Sequence, residues 1–395
     1  MATTSSTTTI ANPSREGLLS GRLLSVDVLR GLTIAFMILV NNNGNEAAAY
    51  WPLKHAAWNG FTPTDLVFPT FLFLVGITTV FSAESRLAKG ATKRDLFLHV
   101  LRRSIVLYLL GLVVNSFPYF HLHTMRFYGV LPRIAICYLI TASLYLLNPG
   151  WRSKAALAIA ALASYWILMR FVPVPGYGVP GHDIPLLDRD ANLTAWLDRQ
   201  IFSPSHLYEH TRDPEGLLST IPALATSLLG LLTGIWLRTK RTLTARCTGI
   251  AIAGLTCVIL GGLWNLTFPI NKKLWTSSYV LFAGGLSLLL LALCLMLVDL
   301  KQNNPNGRNR SRFLTPFLAF GINAIAAYVF SELLQSTFGS IHPQPGVNLQ
   351  QLLYRSVHDF VPDPAFASLL YSLGFVAVCW AFVAVLYRRG IFIKI

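Results

Sequence analysis

The chain has 395 residues, of which 53% are hydrophobic and 12% are charged, and its mean hydropathy is +0.53. A soluble domain cannot cover that much apolar surface with so few polar side chains, so the composition excludes a soluble protein and predicts an all-α, polytopic helical membrane protein. The apolar runs are too long and continuous for a membrane β-barrel, whose strands alternate over about ten residues.

The chain contains ten apolar segments long enough to cross a bilayer, which takes about 20 residues. A polar stretch rich in Ser and Thr at 1–22 precedes them and predicts a disordered cytoplasmic tail. We expect residues 23–395 to form a single transmembrane domain. The predicted spans are 25–43, 65–85, 97–116, 128–147, 155–172, 217–237, 246–264, 277–298, 313–335 and 366–387.

The net charge of +15 reflects where the basic residues lie and does not indicate nucleic acid. If the amino terminus is placed in the cytoplasm, 22 of the 32 Lys and Arg residues flank the cytoplasmic helix ends. This asymmetry follows the positive-inside rule, and it predicts cytoplasmic termini and a multi-pass protein of the cell inner (cytoplasmic) membrane. Residues 54–64 and the loop 173–216 are then exoplasmic. The five cysteines lie in predicted spans without a CxxC pair, so we expect neither disulfides nor a metal site.

Polar side chains interrupt both ends of the first predicted span. Asp27 and Arg30 are three residues apart near its cytoplasmic end, so they share a helix face. They either form an ion pair or leave Arg30 to bind the phosphate of a cofactor. Asn41 lies within the apolar run at the other end, where the asparagines that follow are typical of a helix C-cap. Its amide requires partners, which a substrate or His55 would supply.

The stretch KHAAWNGFTPTDLVFP, residues 54–69, places a histidine and an aspartate at the predicted exoplasmic surface. His55 is either an interfacial residue in an aromatic belt or a catalytic base or nucleophile that works near neutral pH. Asp65 can cap the second span, and it can also orient an imidazole. Because ionisable groups in the membrane indicate function, we predict a site with His55 and Asp65, beside Trp58 and Asn59.

The loop 173–216 is the largest predicted extramembrane segment. Its NLTAWLDRQIF stretch predicts a short amphipathic helix capped by Asn192. The DPEG motif at 213–216 leads into the sixth span, so Asp213 and Glu215 either cap that helix or contact a substrate.

Further polar residues lie in or beside the later spans. Arg133 keeps its proton, so it requires an anion, either a protein carboxylate or a bound phosphate or acyl oxygen. Lys272 breaks the positive-inside rule and binds either lipid headgroups or a glycan. Asn323 lies in the ninth predicted span, where a polar group also indicates a functional contact.

The chain resembles the heparan-alpha-glucosaminide N-acetyltransferase family along nearly its whole membrane portion, in the motifs SVDVLRG, KHAAWNGFTPTDLVFPTFLFLVG, GVLPRIAICY, DPEGLLSTIPA, PINKKLWTSSY and GINAIAAYV. The resemblance implies a bacterial transmembrane acetyltransferase that moves an acetyl group from cytosolic acetyl-CoA to an exoplasmic amino sugar of the glucosamine type. It also implies that His55 is the general base or the acyl carrier, and that Asn41 works beside it.

The candidate site combines this resemblance with the polar residues above. Its members are His55, Asn41 and Asp65 for catalysis, Trp58, Asn59, Asp213, Glu215, Lys272 and Asn323 for substrate binding, and Arg30 and Arg133 for acetyl-CoA. We expect a glycan acceptor and membrane lipid as partners, leave a homodimer open, and expect no nucleic acid. Two other functions stay open, namely an O-acyltransferase of a surface polysaccharide or lipid-linked sugar, and a small-molecule transporter or flippase, although no internal repeat is visible.

Overall fold

The computed structural model of the chain describes residues 23–300 and 310–393. Its α-helices are α1 (Leu24–Asn41), α2 (Val67–Leu87), α3 (Lys93–Ser116), α4 (Val130–Leu147), α5 (Trp151–Phe171), α6 (Leu193–Ile201), α7 (Thr220–Leu237), α8 (Leu243–Trp264), α9 (Ser277–Cys294), α10 (Arg310–Ile322), α11 (Ala324–Ser340), α12 (Leu349–Phe360) and α13 (Pro364–Arg388). A 3₁₀ turn, Pro63–Leu66, leads into α2, and a π-helix, Leu295–Leu300, extends α9.

The described residues contain nine helices that are long and apolar enough to cross a membrane, and ten if the bent pair α10–α11 counts as one span. Each predicted span falls on one of these helices, which confirms the all-helical membrane architecture. The predicted tail at 1–22 lies outside the described residues. We call the side of the bundle where α1 ends and α2 begins the His55 face, and the opposite side the Arg30 face.

The ninth span differs from its prediction as one continuous helix over 313–335. The helices α10 and α11 meet at Asn323 with a bend of 80°, and Asn323 has a non-helical ψ of 35°. The side-chain amide of Asn323 donates to the carbonyl oxygen of Ile391 (3.3 Å) and accepts from the N–H of Ile393 (3.1 Å). These two hydrogen bonds attach the carboxyl-terminal segment to the bundle. Because the Asn323 side chain bonds to backbone outside its own helix, it favours an interruption of the helix at this residue.

Five helices form the interior of the bundle, because more than half of their apolar windows is buried, against 22% for α3, α5 and α8. These interior helices are α1, α2, α4, α7 and α9. The helices α2 and α7 touch at two glycines, where a Cβ on Gly76 would lie 2.1 Å from the Ser227 carbonyl oxygen and one on Gly230 would lie 1.9 Å from that of Phe73. Small residues that allow backbones this close are typical of membrane helix pairs.

The loop between α5 and α7 contains the predicted short helix. Asn192 caps α6, since its side-chain oxygen accepts the N–H of Ala195 at 2.9 Å. Of the two alternatives for Asp213, capping of the next span does not occur, because α7 begins only at Thr220. Asp213 instead closes a turn by accepting the N–H of Glu215 at 2.9 Å, and its carboxylate is also bound from another loop.

Candidate active site

A buried carboxylate fixes the orientation of the His55 ring. Asp65 is 1% exposed, and its Oδ1 lies 2.8 Å from Nδ1 of His55. Its Oδ2 accepts the backbone N–H groups of Ala56 (3.1 Å) and Thr62 (3.0 Å). Because a carboxylate only accepts hydrogen bonds, Nδ1 is the protonated nitrogen of the neutral ring and Nε2 presents its lone pair. The site therefore holds the tautomer that a general base requires.

The His55 ring opens into a cavity between α1, α2, α4 and α11. The empty space, including its open mouth, is about 650 Å³, and the His55 side chain, which is 38% exposed, lines it. The polar lining residues are Asn41, His55, Thr64, Glu215, Lys272 and Tyr328. The apolar lining residues are Ile34, Met37, Val67, Phe68, Phe71, Val130, Leu131, Ile134 and Ile325. A mainly apolar cavity with a few convergent polar groups is typical of a small-molecule site.

The cavity extends from the His55 face toward the middle of the bundle. Asn41 and Ile34 both line it, and seven residues of α1 correspond to a rise of about 10 Å. Arg30 is one further turn away, at about 6 Å along the helix axis. Arg30 does not line the cavity, and it pairs with Asp27 at 3.2 Å and donates to the Gly321 carbonyl at 3.0 Å. The predicted ion pair is thus present at the far end of the helix.

Lys272 approaches the ring of His55 from the turn between α8 and α9. Its Nζ lies 3.2 Å from Nδ1 and 3.3 Å from Nε2. Nζ is almost equidistant from the two ring nitrogens, so it lies over the ring or beside Cε1. The lone pair of Nε2 points away from Nδ1 and therefore away from this position. The lysine therefore contacts the ring and leaves the direction of the Nε2 lone pair accessible.

Glu215 enters the cavity from a clamped turn. Arg126 binds Asp213 through two hydrogen bonds of 2.7 and 2.6 Å, and the same guanidinium also binds Glu215. Arg133 is 1% exposed and donates to the Gly216 carbonyl at 3.0 Å and to the hydroxyl of Ser219. The two arginines fix the DPEG turn, although only Nη2 of Arg133 is bonded there, and its Nε and Nη1 atoms are buried without a hydrogen-bond partner among the described residues.

The charges around the ring favour a neutral imidazole and an ionised Glu215. Burial and the Lys272 ammonium lower the pKa of His55 below its ordinary 6.5, although Asp65 and Glu46 oppose them. Burial also lowers the pKa of Lys272 from 10.5. Burial alone would raise the pKa of Glu215, but Arg126 and Arg133 outweigh it and lower that pKa. At neutral pH the site therefore presents an unprotonated base next to a carboxylate.

The remaining predicted residues divide between the cavity and its supports. Asn41 is exposed in the cavity, and its side chain is hydrogen-bonded to Glu332. Trp58 donates to the Leu187 carbonyl at 2.8 Å, and the guanidinium groups of Arg189 and Arg212 lie 5.4 and 5.0 Å from its ring. This contact ties the long loop to the His55 turn, so the Trp58 ring supports the site from behind.

Asn59 has a similar supporting position, since its side-chain oxygen accepts from Asn271 at 3.1 Å. Asp213 lies behind Glu215, and Asn323 lies at the break of α10–α11, bonded to residues 391 and 393. Neither lines the cavity. Among the residues that the structure describes, no group of three or more His, Cys, Asp or Glu side chains is placed to hold a metal ion.

Sequence reasoning missed two residues of the site. Arg126 holds Glu215, and it could have been found because it breaks the positive-inside rule on the same face as Lys272. Tyr328 lines the cavity from α11, and an aromatic residue in an apolar span gave no signal.

Comparisons with known proteins identify relatives for most of the chain. The family model described as heparan-alpha-glucosaminide N-acetyltransferase, catalytic, matches residues 22–268. The chain is 31% identical over 371 residues to the mouse protein named heparan-alpha-glucosaminide N-acetyltransferase, which covers 81% of this chain and 54% of the mouse protein. It is also 31% identical over 379 residues to the human protein of that name, which covers 82% and 55%. The chain thus spans about half the length of these curated relatives.

Proposed function

The chain belongs to the heparan-alpha-glucosaminide N-acetyltransferase family, and from this premise we propose that it is a membrane acetyltransferase with His55 as its general base. It would transfer an acetyl group from acetyl-CoA to the amino group of a glucosamine-type sugar. One observation carries the proposal: Asp65 holds the His55 ring at Nδ1, and the same ring lines the cavity. A base of this kind contributes about 10²–10⁴-fold to a rate.

The proposed reaction is a direct transfer within one complex. The nitrogen lone pair of the unprotonated acceptor amine attacks the thioester carbonyl carbon and forms the C–N bond, while Nε2 of His55 takes a proton from that nitrogen. The tetrahedral intermediate then collapses, the C–S bond breaks, and the imidazolium returns its proton to the leaving thiolate. Asp65 is ionised and 2.8 Å from Nδ1, so it stabilises the imidazolium between these two steps.

Asn41 fits the role of a donor to the acyl oxygen. It lines the cavity on the α1 side, and its hydrogen bond to Glu332 restrains its amide. An amide held in this way stabilises a developing oxyanion without reorganisation. An acetyl-imidazole on His55 is the alternative path, and it would use the same Nε2 as the nucleophile.

The shape of the cavity supports delivery of the donor from the Arg30 face. Its apolar part leads from His55 down α1 toward Arg30, and such walls suit the pantetheine arm of acetyl-CoA. The positive-inside distribution predicts that the Arg30 face lies in the cytoplasm, where acetyl-CoA is present. We therefore propose that the acceptor reaches His55 from the exoplasmic side of the inner membrane, and that Glu215 attracts its ammonium form, which loses one proton to water before the free amine attacks.

The test uses purified protein in sealed proteoliposomes with radiolabelled acetyl-CoA inside and glucosamine outside. We expect labelled N-acetylglucosamine outside the vesicles with the wild type and none with His55→Ala. His182→Ala is the matched control, because His182 pairs with Asp183 at 2.7 Å but its side chain is 83% exposed in the loop.

A parallel panel of hydroxylated glycans distinguishes the alternatives. Label on a hydroxyl group in place of an amine would favour the O-acyltransferase, and export of an unmodified sugar would favour the transporter. Wild-type protein that labels neither amines nor hydroxyls would contradict an acetyltransferase.

A further inference from the structure

Lys272 contacts the His55 ring and forms no direct ion pair within the described part of the chain, although the charges of Asp65 and Glu215 act on it. Among the described residues, no carboxylate oxygen lies within 4.0 Å of its Nζ. The adjacent Lys273, in contrast, pairs with Glu209 at 2.8 Å. An ammonium has three N–H donors, and both contacts of Lys272 lie on one side of Nζ. Its remaining donors therefore face the cavity that Lys272 lines.

The turn that holds Lys272 is rigid. Asn271 is fully buried, its side-chain oxygen accepts the N–H of Leu274 at 2.9 Å, and its own N–H donates to Thr276 at 3.0 Å. Trp275 has a φ of 53°, a left-handed conformation that is strained for a bulky residue. The Trp275 ring is 1% exposed and packs edge-on against Phe68, with centroids 4.9 Å apart. Packing thus holds the turn in this strained conformation, and the turn fixes the position of Lys272.

We propose that Lys272 is a second catalytic group, whose ammonium binds the thioester carbonyl oxygen and stabilises the oxyanion of the tetrahedral intermediate. This inference rests on the acetyl transfer proposed above. When the amine attacks, the C=O electron pair moves to oxygen beside Lys272, and the proton moves to Nε2 of His55. On collapse the pair returns to re-form the carbonyl as the C–S bond breaks.

The arrangement gives each developing charge a partner that is already in place. The oxyanion faces the Lys272 ammonium, and the imidazolium faces Asp65 at 2.8 Å. Both partners belong to rigid turns, so neither must move when charge appears. A lysine is also unsuited to bind the ammonium form of the acceptor, which Glu215 across the cavity attracts.

The test compares Lys272→Met and Lys272→Arg with the matched control Lys273→Met. Removal of one oxyanion donor lowers kcat by about 10²–10³-fold, and we expect this loss for Lys272→Met with the KM for acetyl-CoA changed by less than about threefold. Lys272→Arg should recover part of the rate, because it retains the positive charge. Lys273→Met should stay within about threefold of the wild type.

A second measurement reports the contact with His55 without any substrate. Diethyl pyrocarbonate reacts with the neutral imidazole, so the pH dependence of His55 modification, followed by mass spectrometry of its peptide, gives the pKa of the ring. Lys272→Met should raise this pKa, since Asp65 and Glu46 then act on the ring without the opposing ammonium. Lys273→Met should leave it unchanged.

Two results would overturn the inference. One is a Lys272→Met enzyme whose kcat stays within about fivefold of the wild type. The other is a loss of activity with an unchanged His55 pKa and no rescue by arginine, which would mean a merely structural role. A wild-type protein that transfers no acetyl group would instead contradict the proposed function itself.

Discussion

The replacement Asp65→Asn tests the orientation of His55 with little change in shape. In the structure, Oδ2 of Asp65 faces the backbone N–H groups of Ala56 and Thr62. An amide NH₂ at that position would oppose two donors, so the asparagine must place its oxygen there and its NH₂ toward His55. Nδ1 then becomes an acceptor, the ring proton moves to Nε2, and the base loses its lone pair at the cavity.

The expected loss follows from the wrong tautomer. In a hydrolase triad, the same exchange lowers kcat by about 10⁴-fold, which corresponds to about 5.4 kcal/mol of transition-state stabilisation. We expect a loss of 10³–10⁴-fold in kcat for acetyl transfer to glucosamine, measured by initial rates with radiolabelled acetyl-CoA in detergent. The midpoint of thermal unfolding, followed by tryptophan fluorescence, should show that the variant remains folded.

Asp183→Asn is the matched control. Asp183 also lies 2.7 Å from Nδ1 of a histidine, His182, but that pair is exposed in the loop. We expect its rate to stay within about twofold of the wild type, since exposed pairs contribute little. A folded Asp65→Asn variant with more than a tenth of the wild-type activity would refute the role of His55 as a base.

Three further predictions concern pH, packing and the clamped turn. The pKa of His55, followed through its modification by diethyl pyrocarbonate, should lie below 6.5, because burial and the Lys272 ammonium lower it; a pKa above 6.5 would contradict this. The pKa of His55 is lower in the folded protein than in the unfolded chain, so the unfolded chain binds more protons as the pH falls below 6.5. The free energy of unfolding should therefore decrease over that range. Gly76→Ala should lower Tm by about 5 °C, whereas Gly374→Ala, with no atom within 4 Å of its Cβ position, should not; equal Tm values would argue against the close α2–α7 contact. Arg126→Met leaves the carboxylate of Glu215 without its ion pair, so we expect a raised KM for glucosamine and a lower Tm, and an unchanged KM would separate Glu215 from the acceptor.

The sequence was sufficient to predict the membrane helices and one half of the site. Each span needs only an apolar run of sufficient length, and the His55–Asp65 pair is local, because a ten-residue turn brings the two together. The contact of Lys272 with His55 joins residues 217 positions apart, so no local pattern reports it. The bend at Asn323 could not be predicted either, because the groups that bind its side chain are the backbone of Ile391 and Ile393, 68 and 70 positions away.

The contacts of Trp58 could not be predicted from the sequence. Its ring lies near two guanidinium groups, and its N–H is bound to the long loop. The carbonyl that binds the indole belongs to Leu187, 129 positions away in the chain, so the sequence around Trp58 does not indicate this contact.

The hydrogen bond between Trp58 and Leu187 attaches the long loop to the His55 turn at one point. We therefore expect that other residues of the loop can change, and with them the preference for a sugar acceptor, while the geometry at His55 stays the same. A chimera that receives the 173–216 segment of a relative should inherit the relative's preference and keep its own turnover.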